Sequence, residues 1–330
     1  MILITGASGL LGGHLLIELF KRGHKIRILC RKQSKFDELK KICLFYNISF
    51  DKLMAQTEKV YGDLLDTASL NRSLVGVDEV FHCAAIVSFS GSSAELLRKT
   101  NVQGTANLVN ACLQNEVKKL AYSSSIGALG QSVERKPIDE NTPWNPVNNS
   151  SVYSNSKYYA EQEVWRGIRE GLNAVIVNPG VILGFGDFEK GSLQFFSQVK
   201  RGMPFYTDST TGYVDVRDVC RTMILLMERD IFGERFVLVS DNLSNRDLFS
   251  LIAKAMNKQK PFIRAGKVLL SIAYYIGILM SKFTGKPPLL TKEIIRSALK
   301  KETYSSEKIK NKIGFKFIEM EDCIKDAVKG

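Results

Sequence analysis

Short apolar runs alternate with amphipathic stretches through the first half of the chain. The runs at Ile2–Ile4, Ile26–Cys30, Lys59–Tyr61, Glu79–His82, Leu120–Ser123 and Asn173–Val177 read as buried strands. Between them, His14–Arg22, Glu95–Asn115 and Tyr153–Glu170 carry the helical pattern. Strands that alternate with helices form right-handed βαβ units, so the pattern predicts an α/β fold with a doubly wound parallel sheet covered on both faces. Beyond Pro179 come glycine-rich and aromatic loops (GVILGFGDFEKG, MPFYTDSTTGY), a strand at Glu234–Val239, and a mostly helical remainder broken at PPLL, residues 287–290. That remainder is expected to form a smaller lobe capping the carboxyl ends of the strands, where open α/β sheets bind ligands.

A chain of 330 residues with 45% hydrophobic content can bury a substantial core. Its net charge of +12 is spread over helical stretches (Lys35, Lys40, Lys41) and a tail (Lys308, Lys310, Lys312), with no basic block interleaved with aromatics. A solvated basic surface follows, and no nucleic-acid partner is expected. The six cysteines lie far apart without a CxxC pair and the three histidines lack ligand spacing, so neither disulfides nor a metal is expected. With no basic leader before the first strand, a cytoplasmic protein is expected. Val268–Met280 (VLLSIAYYIGILM) is apolar on every face but falls short of the roughly 20 residues that span a bilayer. The expectation is a buried or lid-forming helix without membrane association.

Four residues into the chain, TGASGLLG places Gly6, Gly9 and Gly12 between the first strand and a helix that opens at Leu10 and Leu11. Such a turn brings backbone N–H groups and a helix N-terminus close to a pyrophosphate, as in a Rossmann dinucleotide site. At the end of the second strand, where NAD binders place an acidic residue on the ribose, this chain has Arg31 and Lys32. Cations there suit a 2′-phosphate, so NADP is expected over NAD. Asp63 and Leu64 after the third strand fit the adenine, and Cys83, Ala84 and Ala85 after the fourth let a cofactor pass close to backbone. The nucleotide-binding domain is therefore drawn at 1–178 and 213–241, and the cap at 179–212 and 242–330.

In SVYSNSKYYAE, Tyr153 and Lys157 stand four apart, on one face of a helix. An ammonium beside a phenol stabilises the phenolate and lowers its pKa toward that of a working acid or base. YSSS at 122–125 offers a hydroxyl to the same cavity. The glycine turn, the acidic residue after GD, HCAA, the serine cluster and YxxxK, in this order, resemble the extended short-chain dehydrogenases/reductases (NAD-dependent epimerase/dehydratase family). VDVRDV at 214–219 and the ending SSEKIKNKIGF extend the likeness over almost the whole chain. The resemblance implies that Ser125 polarises a substrate oxygen, that Tyr153 moves its proton, and that Lys157 holds the nicotinamide ribose and lowers the tyrosine pKa. It further implies Asn101 near the site, Ser123 among the cofactor contacts, and Pro179, Gly180 and Val181 behind the nicotinamide.

Within that family, IGALG after Ser125 lacks the acid of the sugar dehydratases, TTGYVDV lacks a diphosphate-binding arginine, and NPGVILG lacks the NVYGP of the sugar enzymes. These features resemble the dihydroflavonol reductase and 3β-hydroxysteroid dehydrogenase branch, where Phe185 replaces a common proline. Phe89, Ile182, Phe205 and Tyr213, with Leu183, Phe185 and Tyr206, fall on loops expected to form an apolar pocket. The expectation is an NADPH-dependent reductase of a small hydrophobic ketone or aldehyde. The alternatives are an NAD-dependent nucleotide-sugar epimerase, a 3β-hydroxysteroid dehydrogenase-like enzyme, and a non-catalytic NADP-sensing protein. Helices at 95–115 and 153–170 offer a face for a homodimer.

Overall fold

The computed structural model describes residues 1–87, 94–132, 136–145, 151–284 and 291–330. In the first half the elements are β1 (Ile2–Thr5), α1 (Leu10–Lys21), β2 (Ile26–Cys30), α2 (Asp37–Phe45), α3 (Phe50–Ala55), β3 (Thr57–Tyr61), α4 (Thr67–Leu74), β4 (Glu79–His82) and α5 (Ala94–Leu97). A π-helical turn, Arg98–Gln103, leads into α6 (Gly104–Gln114), then β5 (Lys119–Ser123), α7 (Val152–Arg169) and β6 (Ala174–Pro179). The second half holds β7 (Val181–Leu183), α8 (Gln194–Lys200), β8 (Phe205–Tyr206), β9 (Thr210–Asp215), α9 (Val216–Glu228), β10 (Glu234–Leu238) and β11 (Asp241–Ser244). It closes with α10 (Asn245–Ala255), β12 (Ile263–Arg264), α11 (Lys267–Thr284), α12 (Lys292–Leu299), α13 (Glu307–Ile313) and α14 (Met320–Lys329).

Seven parallel strands form the main sheet in the order β10-β6-β5-β4-β1-β2-β3. Successive side chains of a strand alternate between faces. Ile2 and Ile4 accordingly join a core with Leu15, Leu16 and the α9 residues Val219 and Met223 on one face. Leu3 joins Leu108, Ala160 and Val164 of α6 and α7 on the other. The sheet was thus legible as a doubly wound one, and the expected strands match it to within a few residues at each end. Chain order reverses between β1 and β4, and the crevice beyond their carboxyl ends is where such sheets take ligands.

Three regions depart from the sequence pattern. Val181–Leu183, Thr210–Asp215 and Asp241–Ser244 build a separate sheet in the order β11-β9-β7, where loops were expected after Pro179 and mostly helix after Val239; its strands are short, and Gly212 lies within β9. The boundary drawn at 212/213 therefore falls inside β9. The C-terminal region does not stay in the second lobe: Ile309 of α13 and Phe315 belong to the core under the main sheet. Arg217 ties the last helix down by pairing with both Asp215 and Asp326, while buried Asp218 accepts from Ile318 N, so VDVRDV fastens the chain's end. Finally, α11 is not buried: its outer face is exposed from Val268 to Met280.

Candidate functional site

The site begins at the first turn. Gly6 has φ +78°, a left-handed conformation that glycine adopts without steric cost, and a Cβ there would lie 2.7 Å from Ala84 N. A Cβ on Gly12 would collide with the Gly6 carbonyl, so α1 can close on the turn only without one. At Gly9 a Cβ would meet only ordinary van der Waals contact, with Gly6 O 3.6 Å away. Gly9 caps α1 without a side-chain bond and no acidic residue stands in the first turn, which leaves Leu10 and Leu11 at a positive helix end without an anion. This donor set fits a pyrophosphate.

Beside it, β2 ends at Cys30 and exposes Arg31 and Lys32. Arg31 N bonds to Ser34 Oγ at 3.0 Å, and neither cation has an ion-pair partner among the described residues. Asp63 Oδ1 accepts from Leu65 N at 2.9 Å, and Leu64 O accepts from Asn107 Nδ2, fixing the loop after β3. Cys83 N and Ala84 N, after β4, bond to Thr5 O and Thr5 Oγ1. The cofactor candidates therefore line one edge, the carboxyl ends of β1 to β4.

Behind that edge runs a buried hydrogen-bond chain with a single consistent direction. Thr105 Oγ1 donates to Asn101 O at 2.6 Å, so it accepts from His82 Nε2 at 3.0 Å; His82 Nδ1 then accepts from Thr5 Oγ1 at 2.7 Å. This requires a neutral imidazole, and burial lowers the His82 pKa to about 3. Asn101, expected near the site, is linked to it through Ser156, whose Oγ donates to Tyr153 O at 2.8 Å. It donates to Ile86 O and Ser156 Oγ, each at 3.0 Å, and accepts from Ile86 N at 2.8 Å. The π-helical turn that carries it thereby clamps the exit of β4 to α7, making Asn101 a positioning residue.

Ser125 and Tyr153 are joined by a hydrogen bond, and Lys157 follows Tyr153 by one turn of α7. Ser125 follows β5 and its Oγ accepts from Gly127 N at 3.0 Å, while the Tyr153 hydroxyl is hydrogen-bonded to Ser125. Burial pushes the Tyr153 phenol up to about 12, and it is Ser125 that opposes the rise. The expected lowering of the phenol by Lys157 is not found, because Lys157 Nζ is turned to Ser123 O at 2.8 Å and lies 4.7 Å from the centre of the Tyr122 ring. Burial in turn lowers the ammonium to about 8, against the pull of Glu161. Pro179 closes β6 beside this cluster, with Gly180 N bonded to Leu238 O and Val181 opening β7.

Among the described residues, those expected to line an apolar pocket fall in different environments. Phe89 lies outside the described residues. Tyr213 is buried in the second lobe's core with Leu183, Phe196 and Leu248. Phe205 sits exposed on the short strand paired with Ile263, and Phe185 stacks on Phe45 at 4.8 Å while its carbonyl accepts from His14. Ile182 is half-buried against the main core and accepts from Ser192 Oγ through its carbonyl. A cavity of about 430 Å³, lined by Trp144, Tyr158, Trp165 and Arg235, lies apart from Tyr153 and Lys157.

Sequence reasoning missed Glu161. Fully buried, it accepts from Ser124 Oγ at 2.6 Å and Asn178 Nδ2 at 2.7 Å, and pairs with Arg235 at 2.9 Å. Asn178 also donates to Ser125 O, so this carboxylate braces the loop that presents Ser125. A signal was available: Glu161 follows Tyr153 and Lys157 at spacings of four, on the same helix face.

Residues 2–238 match the NAD dependent epimerase/dehydratase family. Among curated proteins, the chain is 26% identical to a putative dihydroflavonol 4-reductase of Synechocystis sp., covering 98% of this chain and 92% of that protein. It is also 26% identical to cinnamoyl-CoA reductase 1 of Petunia hybrida, over 100% of this chain and 91% of the relative. The crystal structure of gox2253 superposes with a TM-score of 0.82 at 31% identity, covering 100% of this chain and 97% of that one. With the glycine turn, the strand order and the site's position in agreement, the chain belongs to the NAD-dependent epimerase/dehydratase family of extended short-chain dehydrogenases/reductases and is an NAD(P)-dependent oxidoreductase-type enzyme.

Proposed function

We propose that this enzyme reduces a hydrophobic ketone or aldehyde with NADPH. The observation that carries the reading is the hydrogen-bonded Ser125–Tyr153 pair, whose buried phenol, its pKa pushed up to about 12, keeps its proton near neutral pH. A protonated tyrosine is a donor, which suits reduction, where the substrate oxygen gains negative charge and must receive a proton. Ser125 and Tyr153 supply two aimed hydroxyls for that oxygen, stabilising it most when its charge is greatest. Lys157 keeps a cation beside them and Glu161 steadies the loop of Ser125. NADPH, when bound along the glycine turn, supplies the hydride. Arg31 and Lys32, without a carboxylate partner among the described residues, support the phosphorylated cofactor. The reductase names of the Synechocystis and Petunia relatives support the direction and a carbonyl substrate.

The test is turnover of a panel of hydrophobic ketones and aldehydes with NADPH by the wild type and by Tyr153→Phe. Turnover in the wild type and its loss in the variant are expected. Undiminished reduction by Tyr153→Phe would sink the proposed proton donor, and NAD retained through purification would favour the epimerase reading.

A further inference from the structure

Helix α11 breaks the rule that a surface helix turns its polar face outward. Its inward side is apolar, with Leu270 buried and Ala273, Tyr274 and Ile278 half-buried. Its outward side is apolar as well. Val268, Leu269, Ile272, Tyr275, Ile276, Leu279 and Met280 are between 37% and 74% exposed, and their spacing puts them on one continuous stripe. Just before the helix, Phe262 and Ile263 add exposed apolar side chains, and Phe205 pairs with Ile263 across the short sheet. An exposed apolar surface of this extent marks a docking site.

The charges around it identify the occupant. Lys258, Lys260 and Lys267 are exposed near the N-terminal end of the helix and have no ion-pair partner among the described residues. The chain as a whole carries +12. A second copy brought to this face would meet the same lysines and the same net charge, whereas an anionic lipid headgroup layer complements both. Among the described residues no helix is long and apolar enough to cross a membrane, so the helix would lie along the surface. We propose that α11 docks this protein on anionic bilayers, its outer stripe entering the boundary between headgroups and acyl chains and the lysines engaging the lipid phosphates. An apolar stripe and a basic cluster are the two signals that stable peripheral binding needs. The inference revises the sequence-based expectation of no membrane association, and it stands apart from the reductase reading.

Flotation of the full-length protein with phosphatidylcholine vesicles, with and without phosphatidylglycerol, tests it. Binding to the phosphatidylglycerol vesicles is expected, with a loss of about fivefold in affinity for each of Lys258, Lys260 and Lys267 replaced by Ala. The triple variant Ile272→Glu/Ile276→Glu/Leu279→Glu should lose binding by tenfold or more, while its unchanged far-UV circular dichroism spectrum shows that it is folded. Absence of flotation with anionic vesicles overturns the proposal, as does undiminished flotation of the triple variant. A solution dimer that the same triple variant dissociates would assign the face to a second copy and overturn it too.

Discussion

Helices α7 and α11 are both eighteen residues long, and each inverts the usual placement of side chains. Helix α7 buries charge: Lys157 is 2% exposed and Glu161 fully enclosed, and each has a defined partner in Ser123 O and Arg235. Helix α11 exposes hydrocarbon with nothing among the described residues to cover it. Both choices cost stability, one through desolvation of an ammonium and a carboxylate, the other through unburied apolar area. Departures of this kind collect at functional places in natural chains. In the proposed reading, α7 serves the chemistry inside the molecule and α11 faces a bilayer outside it.

The largest expected effect breaks the α7 side. Tyr153→Phe should lower kcat by about 10²–10⁴ with NADPH affinity intact, as removal of a general acid does; stopped-flow rates and cofactor titration check the two halves separately. Lys157→Met should also abolish turnover yet raise Tm. The native pKa near 8 lies below the ordinary 10.5, so the native state binds this proton less tightly than the unfolded chain. The penalty is full below about pH 8 and is relieved as pH rises toward 10.5, so the stabilising effect, on the order of 1–3 kcal/mol, should be visible by thermal melts at pH 7 and fade at pH 10. Wild-type kcat/KM, which reports the free enzyme, should fall as pH climbs through about 8, where Lys157 loses its charge. Arg31→Ala should weaken NADPH by about tenfold to a hundredfold and leave NADH unchanged, as measured by fluorescence titration. Least of all, glutamates at Ile272, Ile276 and Leu279 should change stability by no more than about 0.5 kcal/mol each in chemical denaturation, because those side chains bury little.

The two helices also differ in how far the sequence disclosed them. The main sheet was legible because its strands are apolar runs set between helices, and the glycine turn because Gly6 and Gly12 meet a backbone constraint that no other residue satisfies. Tyr153 and Lys157 were legible from their spacing on one helix face. The environment of that face was not: the lysine's turn to Ser123 O, the rise of the phenol pKa and the bracing by Glu161 depend on strands far away in sequence. Asn101 shows the same limit, since its partners Ile86 and Ser156 become neighbours only once β4 and α7 are in place. For α11, periodicity failed because both faces are apolar and the pattern contains no polar stripe to mark solvent. The short strands of the second sheet were hidden for a similar reason, being too brief to show alternation.

The account depends most on the cofactor edge, and parallel fluorescence titrations with NADPH and NADH test it without knowledge of the substrate. Tighter binding of NADPH by tenfold or more, lost in Arg31→Ala, is the expected result. Equal affinities, or tighter NADH, would contradict it.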